Sequence, residues 1–118
     1  MNNVEMENRY FLISKKYENI LNCAIECNYG WFDIIEQACY NINDHVTRTK
    51  FENFKIVQIK EKFGQLRIYT SFTDTYIDGV IDMACSMSNC TCEACGNKGR
   101  IRSDKPWIRT LCDECNKS

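Results

Sequence analysis

Three observations predict an α+β fold. Apolar residues recur at helical spacing in three separate stretches, two short stretches rich in β-branched and aromatic residues sit together in mid-chain, and two Cys-x2-Cys pairs close the sequence. The expected order is N-terminal helices, a two-stranded antiparallel hairpin, a third helix, and a C-terminal hairpin of zinc-ribbon or truncated treble-clef type.

The first helix is expected over residues 5–21, where Tyr10, Ile13, Tyr17, Ile20 and Leu21 recur with a period of three to four. Gly30 marks a break. A second helix follows from Trp31 to about Val46, with Ile34, Ile35, Ala38, Cys39 and Ile42 on one stripe and Asp33, Glu36 and Asp44 off it. Residues 54–60 and 66–72 read as strands, joined by the five residues Glu61-Lys-Phe-Gly-Gln65 as a hairpin loop. Thr73 or Asp74 is placed to cap a third helix. Its stripe is Tyr76, Ile77, Val80, Ile81, Ala84 and Met87 or Ser88, with Cys85 also expected in the core. Gly79 lies inside that helix and costs it about 1 kcal/mol relative to alanine, so packing must hold it.

At 118 residues and 44% hydrophobic content, the chain suits one globular domain. Residues 1–91 form the expected body, and residues 92–118 a C-terminal segment packed on it. The formal net charge of -1 gives no general attraction for nucleic acid or an anionic membrane. The longest apolar run, Tyr10–Ile13, is far too short to span a bilayer, so no membrane partner is expected. The N-terminus shows no basic stretch followed by an apolar one, so no secretory leader is expected either. Nine cysteines is an odd number. With no sign of export, a reducing, cytoplasmic setting and metal binding explain them better than a disulfide framework.

The chemistry is concentrated in Cys92-Glu-Ala-Cys95 and Cys112-Asp-Glu-Cys115, separated by residues 96–111. This matches the Cys-x2-Cys pairs about 15–20 residues apart of a structural zinc site. Each pair turns two sulfurs toward one point, and two pairs complete a tetrahedron of thiolates about 2.3 Å from the ion. Four protein ligands leave no open position, so one structural zinc is expected, with a labile iron–sulfur cluster or a redox dithiol as alternatives. Gly96 suits the tight turn after the first pair. Arg100-Ile-Arg102 and Trp107-Ile-Arg-Thr-Leu111 alternate like two short strands, turned by residues 103–106. The basic residues of this segment offset the thiolate charge, which weakens the reading of a basic finger for nucleic acid. Cys23 and Cys27, four residues apart, could chelate a metal on a helix but are expected, like Cys39, in core packing; Cys90 could replace a ligand, but the Cys-x2-Cys register argues against it.

Two groups of residues are candidates for partner binding. Lys60, Lys62 and Arg67 flank the hairpin tip beside Gly64, where they suit a phosphate or an acidic surface. Arg100, Arg102, Trp107 and Arg109 on the finger suit stacking and pairing with a nucleic acid. Set against these are a solvated hairpin end and a Trp107 that merely fills the gap between finger and body. His45 is expected at the surface or its boundary. No nucleophile elbow, P-loop, dinucleotide fingerprint or zinc-protease motif is present, so no catalytic residues are expected.

Three segments together resemble a family of small, largely uncharacterised zinc-finger-like proteins of bacteriophages and prophages. They are Gly30-Trp-Phe-Asp-Ile-Ile35, then Ile59-Lys-Glu-Lys-Phe-Gly-Gln-Leu-Arg-Ile-Tyr69, then Cys92-Glu-Ala-Cys-Gly96 with Trp107-Ile-Arg-Thr-Leu-Cys-Asp113. Many relatives of this pattern end the last pair with histidine; here Cys115 takes that place and still completes four ligands. The resemblance implies a phage-type origin, a host bacterial cytoplasm and a bound metal. Phage proteins of this size often bind host components, and some block defence systems such as CRISPR effectors. By analogy of size and source, the first expectation is a non-enzymatic interaction protein that binds a host protein and inhibits a defence effector. A nucleic-acid-binding regulator is the second, and a phosphate-ligand binder at the hairpin tip the third.

Overall fold

Asn2 starts the first helix by accepting the Glu5 N–H at 2.8 Å on its side-chain oxygen. In the computed structural model, which describes residues 2–117, α1 then runs Asn3–Lys16. It ends earlier than the apolar period suggests. Tyr17 and Ile20 are buried, but Ile20 and Leu21 have left the helix to join a sheet: the Ile56 N–H donates to Ile20 O at 2.7 Å. A short strand β1, Ile25–Glu26, continues this pairing in parallel with β2, Ile56–Lys62. The expected two-stranded hairpin is therefore the larger part of a three-stranded sheet ordered β1-β2-β3, with β3 at Gln65–Thr70. Cys23 and Cys27 flank β1 and are not on a helix; both pack half-buried against the core.

The hairpin turn is also tighter than expected. Lys62 pairs with Gln65, leaving only Phe63 and Gly64 in the loop, both in the left-handed region (φ 54° and 80°). This is the backbone a two-residue hairpin needs to match strand twist. The Glu61 carboxylate braces it by accepting the Gly64 N–H at 2.7 Å.

A 3-10 turn at Tyr29–Trp31 leads into α2, Phe32–Thr49. Trp31 of that turn and Ile35, Cys39 and Ile42 on α2's inner stripe are fully buried, against Ile56, Ile59 and Leu66 from the sheet. Helix α3, Thr75–Ser88, is capped by Asp74, whose carboxylate accepts the Ile77 N–H at 2.8 Å. It packs on α2, and its C-terminus is tied to β3 where Ser88 Oγ accepts the Leu66 N–H at 3.0 Å. Only Ile77, Ala84 and Ser88 of its expected stripe are buried; Tyr76 and Met87 are exposed, Val80, Ile81 and Cys85 half-buried. His45 lies at the boundary, hydrogen-bonded to Asp74 at 2.7 Å and stacked on Tyr76. The C-terminal segment forms its own small antiparallel sheet, β4 at Arg100–Arg102 and β5 at Arg109–Leu111, followed by one turn of helix, α4, at Asp113–Asn116.

Candidate metal centre and binding face

Two local backbone devices aim the four cysteines. In the first, the Gly96 N–H donates to Cys92 O at 2.8 Å and the Cys92 N–H to Asn97 O at 2.7 Å, closing a knuckle with Gly96 at φ 86°. In the second, Cys112 caps α4, its sulfur accepting the Cys115 N–H at 3.4 Å. The four sulfurs of Cys92, Cys95, Cys112 and Cys115 all lie within 4.8 Å of one another, and Cys95 and Cys112 stand 3.6 Å apart. Sulfurs held at about 2.3 Å around one tetrahedral ion stand roughly 3.8 Å from each other, so the set has the size of a metal site and is too open for a disulfide. All four cysteines are free thiols.

Electrostatics points the same way. Burial works against the Cys92 thiolate, but the N–H groups of Cys112, Cys95 and Ala94 outweigh it and bring that thiol down to about 7. The hydrogen-bonded Cys112 thiol, with burial, pushes Cys115 up to about 12. Four thiolates cannot share this space without a cation among them, whereas a soft divalent ion satisfies them all. The residues present fit one metal ion with no ligand position left for a substrate.

The metal segment is joined to the body by hydrogen bonds in which at least one partner is a backbone group. Gly30 N–H donates to Glu93 O at 2.8 Å, and Trp31 Nε1 to Thr91 O at 2.9 Å. The Glu93 carboxylate reaches back to the Asn28 N–H at 3.1 Å; burial raises its pKa above the usual range. The approach is so close that a Cβ on Gly30 would fall 2.2 Å from Cys92 O and 2.3 Å from Glu93 O. A second clamp lies at the hairpin tip. The fully buried Thr110 Oγ1 donates to Gly64 O at 2.5 Å, and the Gly64 backbone lies against Arg109.

This docking sets two exposed aromatic residues around one cleft. Phe63 (67% exposed) and Trp107 (71%) line one cleft of about 340 Å³ with Glu61, Pro106 and Ile108. Trp107 therefore does not fill the space between finger and body. Phe63 was not singled out by the sequence; the available signal was a bulky residue before glycine at a two-residue turn.

The remaining candidates divide. Lys60 and Arg67 face each other directly across β2 and β3. Buried Ile59, Leu66 and Ile68 point to the opposite face, so Lys60, Lys62 and Arg67 share the outer one. None of the three is in an ion pair among the described residues. Arg102, in contrast, turns inward: it is 5% exposed and donates to Leu111 O at 3.0 Å and to Asp113 at 2.8 Å. It holds β5 to α4 and is no surface residue. Arg100 is exposed on β4, and Arg109 half-buried on β5. The Gly64 N–H is taken by the Glu61 carboxylate, so a phosphate at the tip would rest on Lys60, Lys62 and Arg67.

No helix among the described residues is long and apolar enough to cross a membrane. Comparison with protein-family models, with curated proteins and with solved structures finds no match.

Proposed function

We propose that this chain is a non-enzymatic interaction module in which one structural zinc holds a Trp107-bearing hairpin against the body. Its recognition face is the Phe63–Trp107 cleft, and its partner is a host protein of a bacterial cell. The observation that carries this reading is the pair of exposed aromatic side chains held together by two rigid clamps. Large exposed aromatics in a pre-formed setting are what binding hot spots are made of. The phage-type segments suggest a host component as the target, and a defence effector is the first class to try.

The test is capture from bacterial lysate by the zinc-loaded protein, with Trp107→Ala and Phe63→Ala variants alongside. A partner retained by the native chain and lost from both variants supports the reading. Equal capture by all three, or turnover of a substrate by the purified protein, overturns it. Nucleic acid is the second reading, favoured by the uncompensated cations Lys60, Lys62 and Arg67. It predicts an affinity that falls steeply with salt, as released counterions require.

A further inference from the structure

The cleft between the hairpin tip and the finger carries a charge that the chain leaves unanswered. Glu61 lines it with Phe63, Pro106, Trp107 and Ile108, and among the described residues no basic side chain does. The Glu61 carboxylate accepts the Gly64 N–H on Oε2. Its Oε1 makes no hydrogen bond within the chain and is not buried, and no described Lys, Arg or His forms an ion pair with it. The basic residues of the hairpin stand on the other side. Glu61 pairs across the strands with buried Leu66 and shares its face, whereas Lys60, Lys62 and Arg67 lie on the outer one.

Two aromatic rings complete the setting. Phe63 is exposed and holds a left-handed backbone (φ 54°) that glycine would adopt without strain, so the fold gains little from its ring. Trp107 is exposed as well. The π faces of such rings are negative and attract cations. The Phe63 ring already draws Lys62 Nζ to 5.8 Å from its centroid. Pro106 and Ile108 add apolar wall against which an aliphatic stem can lie.

Aromatic faces, a free carboxylate oxygen and apolar walls suit a cation on an aliphatic stem. Arginine matches them better than lysine. Its guanidinium is planar, stacks on aromatic faces, is more weakly hydrated than an ammonium and has N–H donors to spare for a carboxylate. We propose that the cleft is an arginine pocket, in which an arginine of the partner protein stacks on Phe63 and Trp107 and donates to Glu61 Oε1. This rests on the reading of the cleft as the recognition face and names the chemistry of the partner's anchor, a residue type enriched at binding hot spots.

An NMR titration of the isotope-labelled, zinc-loaded chain with N-acetyl-arginine amide, at constant ionic strength, tests this. The chain has two tryptophans. Trp31 is fully buried with its indole N–H on Thr91 O, so its signal is an internal control, and the Trp107 indole reports the cleft. Saturable shifts of the Trp107 indole, Phe63 and Gly64 signals are expected. N-acetyl-citrulline amide, of nearly the same shape but uncharged, is expected to give none. Glu61→Gln keeps an oxygen for the Gly64 N–H and is expected to weaken arginine binding about tenfold. Equal shifts from the citrulline amide overturn the proposal, a comparison made on the native chain and independent of any variant's folding. So does binding that Glu61→Gln leaves unchanged, that N-acetyl-lysine amide exceeds, or that moves signals only away from the cleft. A titration that moves no cleft signal up to the probe's solubility limit overturns it too. Lysate capture keeps the two claims apart. Capture lost with Trp107→Ala and kept with Glu61→Gln leaves the cleft as the recognition face and refutes the arginine. Equal capture by the native chain, Trp107→Ala and Phe63→Ala refutes the cleft itself.

Discussion

Gly30→Ala is expected to loosen the joint between body and metal segment. The added methyl would stand 2.2–2.5 Å from the backbone of Cys92 and Glu93. Neither neighbour is a flexible side chain able to swing aside. The two segments must separate by about an ångström, and the bonds that cross the joint stretch with them: Gly30 N to Glu93 O and Trp31 Nε1 to Thr91 O. Overpacking of this kind costs about 1–3 kcal/mol, and each weakened hydrogen bond about 1 kcal/mol more. A loss of about 3 kcal/mol corresponds to a melting temperature lower by roughly 10 °C for a domain of this size. Circular dichroism melts of the native chain and of Gly30→Ala in the presence of zinc measure it. A melting temperature within 2 °C of native would refute the close approach and the route by which the metal segment is tied to α2.

Three further outcomes follow from other parts of the molecule. Phe63 holds a left-handed backbone that costs a bulky residue about 1–2 kcal/mol. Phe63→Gly should therefore melt no lower than native while losing the captured partner, and a clear drop in stability would show that Phe63 serves the fold. Burial pushes the Cys27 and Cys39 thiols up to about 12, whereas Cys90 is exposed. At pH 8 a thiol-reactive probe should label Cys90 in the native zinc-loaded protein and spare the other two, as mass-spectrometric peptide mapping would show. Asp74 is held below its ordinary 3.8, first by the Ile77 N–H and then by His45. A depressed carboxylate contributes stability that is present above 3.8 and lost as pH falls through its folded value. Asp74→Asn should thus lose less stability than the native chain between pH 5 and pH 3, and parallel acid profiles would remove Asp74 as a contributor.

The elements that the sequence foretells are those written in local pattern. Helix α2 shows its stripe because every third or fourth residue faces one core, and the hairpin strands show β-branched residues with a glycine between them. The four clustered cysteines are legible because each pair has the spacing of a local chelate and the two pairs suit one ion. What stays hidden is made by backbone groups or by tertiary contact. Strand β1 is two residues long and carries no period of its own, so Ile20 and Leu21 read as the end of α1 when they serve the sheet. At the Gly30 joint the Gly30 N–H and the carbonyls of Thr91 and Glu93 are groups that any residue possesses, so they leave no mark in the sequence. Arg102 looks like its neighbours Arg100 and Arg109, and only the carbonyl of Leu111 and the carboxylate of Asp113 explain why it alone is buried. Phe63 and Trp107 are far apart in sequence, and their shared cleft lies where Thr110 bonds to Gly64 across the joint.

The central claim is that Cys92, Cys95, Cys112 and Cys115 hold one zinc ion whose presence keeps the Trp107 hairpin in place. Native mass spectrometry of the chain purified under reducing conditions, with Cys112→Ser beside it, tests this most directly. The account predicts the mass of the chain plus a single zinc ion for the native protein and a metal-free, broadened charge distribution for the variant, because metal binding and folding of the segment are coupled. A metal-free native chain, or a Cys112→Ser chain that keeps its zinc and a compact charge envelope, would contradict it.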